Sequence, residues 1–191
     1  MTQDISRRQT LALLMATTFA ANAAAQPGEH SMTDAELARH AHDWDWLVGR
    51  WNVRHRRLNG RLVDSTDWQE FAGTCHMVPT LAGLGNMDDN WLDLPSGAYR
   101  AMGIRAFNPG TRLWSIWWLD ARVQTIDPPV RGGFANGVGV FEGDDMLRGQ
   151  PIKVRFTWSD ITADSARWEQ AFSPDDGETW EVNWIMHFAR A

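Results

Sequence analysis

One cysteine, one lysine and one tyrosine stand in a chain of 191 residues. The lone Cys75 excludes a disulfide framework within the chain and any zinc site built on several thiolates. With Lys153 the only lysine, positive charge rests on arginine, and 18 basic groups face 24 acidic ones. A net charge of −6 argues against a nucleic-acid binder that lives on phosphate contacts. No apolar run reaches the roughly 18–20 residues that a membrane-spanning helix needs. Also missing are a Gly-x-Ser-x-Gly elbow, a phosphate loop and a dinucleotide fingerprint. There is no low-complexity segment and no repeat at solenoid or propeller length. The excess is in tryptophan. Twelve indoles in a chain this small imply a thick aromatic interior, a stacking surface, or both.

The first 25 residues read as an address. Arg7-Arg8 precedes an uncharged stretch from Gln9 to Ala25, which closes on Ala23-Ala24-Ala25, a small-x-small cleavage site. Ser6-Arg7-Arg8-Gln9-Thr10-Leu11 resembles a twin-arginine export signal; an ordinary secretory signal is the alternative. Either predicts a periplasmic or secreted mature protein. The expected organisation is a signal peptide over 1–25, a linker and helix over 26–45, and one β-domain over 46–191. Thr33-Asp34-Ala35-Glu36 forms a capping box and predicts a helix from about Asp34 to Leu47. His40 and His42, two apart on that helix, diverge; with Asp43 and Asp45 they read as solvated surface rather than a metal cluster.

From Trp51 onward the pattern is short alternating runs between turn signals such as Asn59-Gly60, Asn136-Gly137 and Asp175-Asp176-Gly177, the spacing of an all-β barrel or sandwich. Successive side chains of a strand point to opposite faces. Alternation therefore sets Trp51, Val53 and His55 inward, as it does Ile152, Val154, Phe156 and Trp158. Ala166, Trp168, Gln170 and Phe172 share one face with Ser173 on the other. In the last strand Trp180, Val182, Trp184, Met186 and Phe188 oppose Glu181, Asn183 and His187. Ser173-x-Asp175-x-Gly177-x-Thr179-Trp180 matches an Asp-box, read here as a hairpin device. Asp88-Asp89-Asn90 reads as a solvated loop.

Leu47-Val48-Gly49-Arg50-Trp51 carries a Gly-x-Trp, and the last strand ends in Arg190 on the inward parity. With the Gly-Leu-Gly-Asn run from Gly83 to Asn86 and an aromatic final strand, residues 44–191 resemble uncharacterised bacterial lipocalin-like proteins. These belong to the calycins, with lipocalins, fatty-acid-binding proteins and nitrobindins. The resemblance implies a closed antiparallel lipocalin-like β-barrel of about eight to ten strands, preceded by one helix. It also implies that Arg190 packs across Trp51 and seals one end, leaving a cavity for one small molecule. It implies almost no chemistry, because such a fold hosts binders and enzymes alike. Nitrobindins carry a haem-ligating histidine late in the chain, but alternation turns His187 outward; no cofactor and no metal is expected.

Inside aromatic walls the inward polar groups are the informative ones. His55 is the leading candidate for acid–base work or for a metal or haem ligand, with Asp120 and Glu70 as the other acid–base candidates. Trp118, Trp168 and Trp184 are expected to line the cavity, with Gln170, Arg105 and Tyr99 as ligand-facing groups. Arg105 could pair with Asp120 or Glu70. Three functions stay open: a carrier of a small apolar or aromatic molecule, a small cofactor-independent lyase, isomerase or hydratase, and a carbohydrate-stacking or protein-contact module.

Overall fold

The structure, a computed structural model, describes residues 32–191; the expected export signal lies outside them. A short helix α1 (Asp34–His40) leads into ten strands: β1 (Gly49–Leu58), β2 (Trp68–Thr80), β3 (Gly85–Asp93), β4 (Tyr99–Asn108), β5 (Leu113–Asp120), β6 (Val130–Ala135), β7 (Val138–Leu147), β8 (Gln150–Ser159), β9 (Ser165–Ser173) and β10 (Glu181–Arg190). Each strand pairs antiparallel with the next, and β1 pairs with β10, so the sheet closes into a barrel without a free edge. The turn chemistry matches. Asn136 and Gly137, both at positive φ, place Val138 opposite Ala135, the geometry of a two-residue hairpin whose twist suits its strands.

The capping box at Thr33 and Glu36 forms as expected, but α1 ends at His40 and a separate 3₁₀ turn covers Asp45–Leu47. The side chains of this segment account for the break. The Asp43 carboxylate engages His40 Nδ1 at 2.8 Å and accepts the Trp114 indole N–H at 2.8 Å. That anchor lets Trp44 drop into the barrel among Trp114, Phe134, Phe141 and Trp158. Only His42 keeps the solvated position expected of both histidines; His40 stacks on Phe107 at 4.2 Å.

Trp44, Leu47 and Trp51 thus close one end. Trp51 is fully buried, its indole N–H donates to the Leu47 carbonyl at 2.8 Å, and the Arg190 guanidinium lies 3.7 Å above its ring. Arg190 also donates to the carbonyls of Val48, Trp46 and Ala163. One cation therefore fastens the entering chain, the closing strand and the β8–β9 loop.

The opposite end is open, rimmed by the β1–β2, β3–β4, β5–β6, β7–β8 and β9–β10 connections. The wall is thinnest there. β5 and β6 share only three residue pairs, Trp114–Gly132 to Ile116–Val130, before residues 121–129 loop away.

Alternation predicts most inward faces correctly and fails at two places, in β10 and at the end of β9. A β-bulge between Val182 and Trp184 resets the parity of β10. Asn183 becomes fully buried, Val182 turns to solvent, and Trp180 lies outside under the Arg155 guanidinium at 3.7 Å. Ser173, expected outward, is fully buried because its hydroxyl organises the next turn, donating to Asp175 and accepting from Gly177 N–H. The Asp-box is the hairpin device expected. Hydrogen bonds from Thr179 and Ser173 hold the Asp175 carboxyl down at about 2.

Trp51→Ala is expected to cost about 3–5 kcal/mol. In a double-mutant cycle with Arg190→Ala, measured by denaturant unfolding, the two should couple by about 0.5–3 kcal/mol. Additive losses would mean that the cation does not seal the barrel through this ring.

Candidate functional site

Between the Trp44 plug and the open end lie two chambers in series. The inner one has a volume of about 80 Å³ and walls of Trp118, Trp158, Trp168, Trp184, Phe156 and Ile116. The indoles pack edge to face, Trp168 on Trp184 at 5.7 Å and Trp118 on Trp184 at 6.3 Å, an arrangement that the ring quadrupoles favour. The outer chamber, about 230 Å³, is the mouth. Trp118, Trp184, Phe156, Ile116, Gln170 and Asp127 border both and form the neck.

The floor of the inner chamber is ionic. Asp88 on β3 and Arg105 on β4 are almost fully buried, with their charged atoms 2.6 Å apart. Asp88 also accepts the Gly103 backbone N–H at 2.9 Å and the Asn90 amide. A Cβ on Gly103 would stand 2.7 Å from the Asp88 carboxylate, so this approach needs glycine. Arg105 donates to Asn86 at 2.9 Å and lies 4.7 Å over the Trp44 ring. A buried pair survives only when its remaining hydrogen-bonding capacity is met. Here the carboxylate is satisfied and the donors are not. Arg105 Nε, Asn86 Nδ2, Trp158 Nε1 and Trp44 Nε1 are buried without an acceptor among the described residues. Each such group costs about 1–3 kcal/mol. Arg105 and Trp158 line the chamber itself.

Asp88-Asp89-Asn90 is therefore strand rather than the expected solvated loop, and Arg105 pairs with Asp88 rather than with Asp120 or Glu70. The parity was readable, because Asn86, Asp88 and Asn90 alternate in step with the buried Leu92. Arg57 continues the inward parity of His55 on β1 and was missed for the same reason: a charged residue reads as surface.

The other expected site residues separate into three groups. Trp118, Trp168, Gln170, Trp184 and Arg105 line the inner chamber. Gln170 donates to Asn183 at 2.9 Å, which ties it to the β10 bulge. Tyr99 and Asp120 belong to the mouth. Asp120 is gripped by Arg122, whose hydrogen bonds hold its carboxyl low, while burial pushes the Tyr99 hydroxyl up. His55 and Glu70 border neither chamber: Glu70 is exposed on the outer face 3.9 Å from Arg56. The three residues considered for acid–base work are not brought together. His55 is buried, stacked on Phe71 at 4.6 Å, with Nδ1 accepting the Trp184 indole N–H at 3.3 Å. Accepting at Nδ1 places the proton of the neutral ring on Nε2. Burial, helped by the Arg57 charge, holds its pKa at about 3.

Cys75 borders the inner chamber as a neutral thiol, its pKa pushed well up by burial and then by Asp88. His187, where a late haem ligand would fall, projects outward beside Arg167 and does not reach the cavity. Among the described residues no three His, Cys, Asp or Glu groups converge on a metal position. No tryptophan is fully exposed; Trp68, Trp91, Trp117 and Trp180 are half-buried on the outer face, on separate elements.

No family model and no curated protein sequence matches the chain. Solved structures do. The S-type phycobiliprotein lyase CPES from Guillardia theta is similar over 85% of this chain and 95% of its own, at 8% identity and a TM-score of 0.51. EF1p2_mFAP2b, solved bound to DFHBI, is similar over 80% of this chain and 99% of its own, at 11% identity and a TM-score of 0.44. The chain folds as a lipocalin-like barrel. Identities this low carry the likeness no further than the fold.

The buried His55 gives stability a pH dependence of definite sign. Its folded pKa of about 3 lies below the unfolded value near 6.5, so the unfolded chain binds the extra proton between them. The neutral ring's contribution is whole above pH 6.5 and falls as pH drops towards 3, by at most about 5 kcal/mol at about 1.4 kcal/mol per pH unit. Denaturant unfolding at pH 7, 5 and 4 should show this decline in the wild type. In His55→Gln, which keeps an acceptor for Trp184, it should be shallower. Equal slopes would mean that the ring titrates normally.

Proposed function

We propose that the protein is an exported binder of one small molecule with an apolar or aromatic body, held among the indoles of the inner chamber and reaching into the mouth. The observation that carries this reading is a cavity of aromatic walls whose floor keeps buried N–H donors without acceptors. A fold optimised only for stability would fill the space and satisfy those groups. A ligand with a hydrogen-bond acceptor at its buried end would satisfy them and gain the apolar contact together. Size supports the same reading. Neither chamber alone reaches the roughly 300 Å³ at which ligand sites begin, whereas the two joined through the neck are near it. Export belongs to the proposal through Arg7-Arg8 and the Ala-rich stretch that follows.

Titration with the neutral probe N-phenyl-1-naphthylamine should quench tryptophan emission saturably at one probe per chain. Ile116→Phe, which narrows the neck, should weaken that quenching at least tenfold while changing the melting temperature by only a few degrees. Quenching that does not saturate, or that survives Ile116→Phe unchanged, would place the probe outside the barrel and contradict the reading.

A further inference from the structure

We propose that Arg57 and Arg61 form an oxyanion-recognition site at the mouth, so that the ligand is an amphipathic acid with its apolar body inward and its anionic group at the rim. This deepens the cavity-binding reading and rests on it.

Partner choice among the arginines is the first observation. Arg56, Arg100, Arg105, Arg112, Arg122, Arg155 and Arg167 each close an ion pair with a carboxylate. Eight described arginines close none; Arg39, Arg50, Arg54, Arg131, Arg148 and Arg190 border neither chamber, whereas Arg57 and Arg61 line the outer one and are partly buried. The nearby acids are committed elsewhere. Asp120 is held by Arg122 at 2.6 Å, and Glu181 accepts the Leu62 backbone N–H through both oxygens at 2.8 and 3.0 Å. Asp144 is engaged by Lys153 at 2.7 Å. Asp127 and Asp145 also border the mouth, but they belong to the β5–β6 loop and β7. In a ten-strand barrel those lie across the opening from β1. Asp120 and Glu181 lie within electrostatic reach of Arg57 and Arg61 but close no ion pair with them, while Asp127 and Asp145 sit across the mouth.

The second observation is preorganisation. Arg57 lies 5.1 Å over the Trp184 ring and 5.5 Å over Phe71, and Arg61 lies 5.6 Å over Phe172. These aromatic faces hold the planar groups in place and shield them from water. The loop carrying Arg61 is fixed by the Glu181 contacts to Leu62, by Arg148 donating to the Arg61 carbonyl, and by Asn59 N–H on the Asp67 carbonyl. The two like charges, partly desolvated and within electrostatic reach of each other, repel: burial, then the Arg57 charge, lowers the Arg61 pKa against smaller opposing pulls from Tyr99 and Glu181. An oxyanion between them removes the repulsion and takes the bidentate N–H pattern that guanidinium groups offer. Its position is also right: Trp184 is the wall of the inner chamber and the platform of Arg57 at once. The Tyr99 hydroxyl borders the same space next to Arg57.

Calorimetric titration of the full chain with 2-naphthoate, 2-naphthamide and 2-naphthylmethylammonium separates the outcomes, since the three share one aromatic body. The naphthoate should bind at least tenfold more tightly than the amide. Arg57→Gln and Arg61→Gln should each shrink that preference several-fold and leave the amide within twofold, with melting temperatures unchanged or raised. Arg57→Lys, which keeps the charge and loses the fork, should retain part of it. Equal binding of acid and amide to the wild type overturns the oxyanion site and leaves the cavity reading standing. So does tighter binding of the ammonium probe, which would assign the mouth to Asp127 and Asp145. A preference that survives the double substitution, or a sharp loss of melting temperature in both single variants, would make the arginines structural caps. If no probe binds the wild type, the cavity reading falls and this proposal with it.

Discussion

A carboxylate and a guanidinium held 2.6 Å apart inside an aromatic barrel set the terms for the rest of this interior. Neither group could stay charged there alone, because an isolated ion in such surroundings costs several kcal/mol. Asp88 is tolerated because Arg105, Asn90 and the Gly103 N–H surround it; Arg105 is tolerated because Asp88, Asn86 and the Trp44 ring do the same. The pair therefore does more than join β3 to β4. Through Trp44 it engages the plug at the closed end, and through Gly103 it demands a position without a side chain, which helps leave room for the inner chamber.

From that floor the barrel grades outward in polarity. Indoles packed edge to face give the middle its walls, the neck narrows at Trp118, Phe156 and Trp184, and the mouth is charged. Closure makes the gradient sustainable. With every strand paired on both sides, backbone polarity is met by the sheet, and only side chains decide what the cavity offers. The Trp51–Arg190 seal sits at the far end and leaves the mouth as the route in.

The architecture was legible because period-2 alternation is strong wherever one face is aromatic: β1, β8 and most of β9 follow the sequence pattern residue by residue. The losses have physical causes. Alternation assumes an unbroken strand, so the bulge at Val182–Trp184 reversed Trp180, Val182 and Asn183. Propensity assumes that aspartate and asparagine avoid strands, so β3 was hidden until its partner Arg105 was in view. The helix was read as continuous because nothing in its local sequence reveals that Asp43 will bind Trp114, 71 residues away. Of the site, the tryptophan walls with Gln170 and Arg105 were legible. Asp88 and Arg57 carry the inward parity, yet a charged residue reads as surface until its partners distant in the chain are known, and Arg61 stands in a loop that alternation does not reach.

The indole N–H groups offer the most direct test of a ligand-binding barrel. Each of the twelve gives its own resonance in a ¹⁵N-correlated NMR spectrum, and the structure divides them into chamber-lining and outlying sets. On titration with 2-naphthamide, the signals of Trp118, Trp158, Trp168 and Trp184 should shift and saturate together, while those of Trp68, Trp91, Trp117 and Trp180 stay in place. Shifts confined to the outlying set, or none at concentrations where the probe remains soluble, would contradict the account.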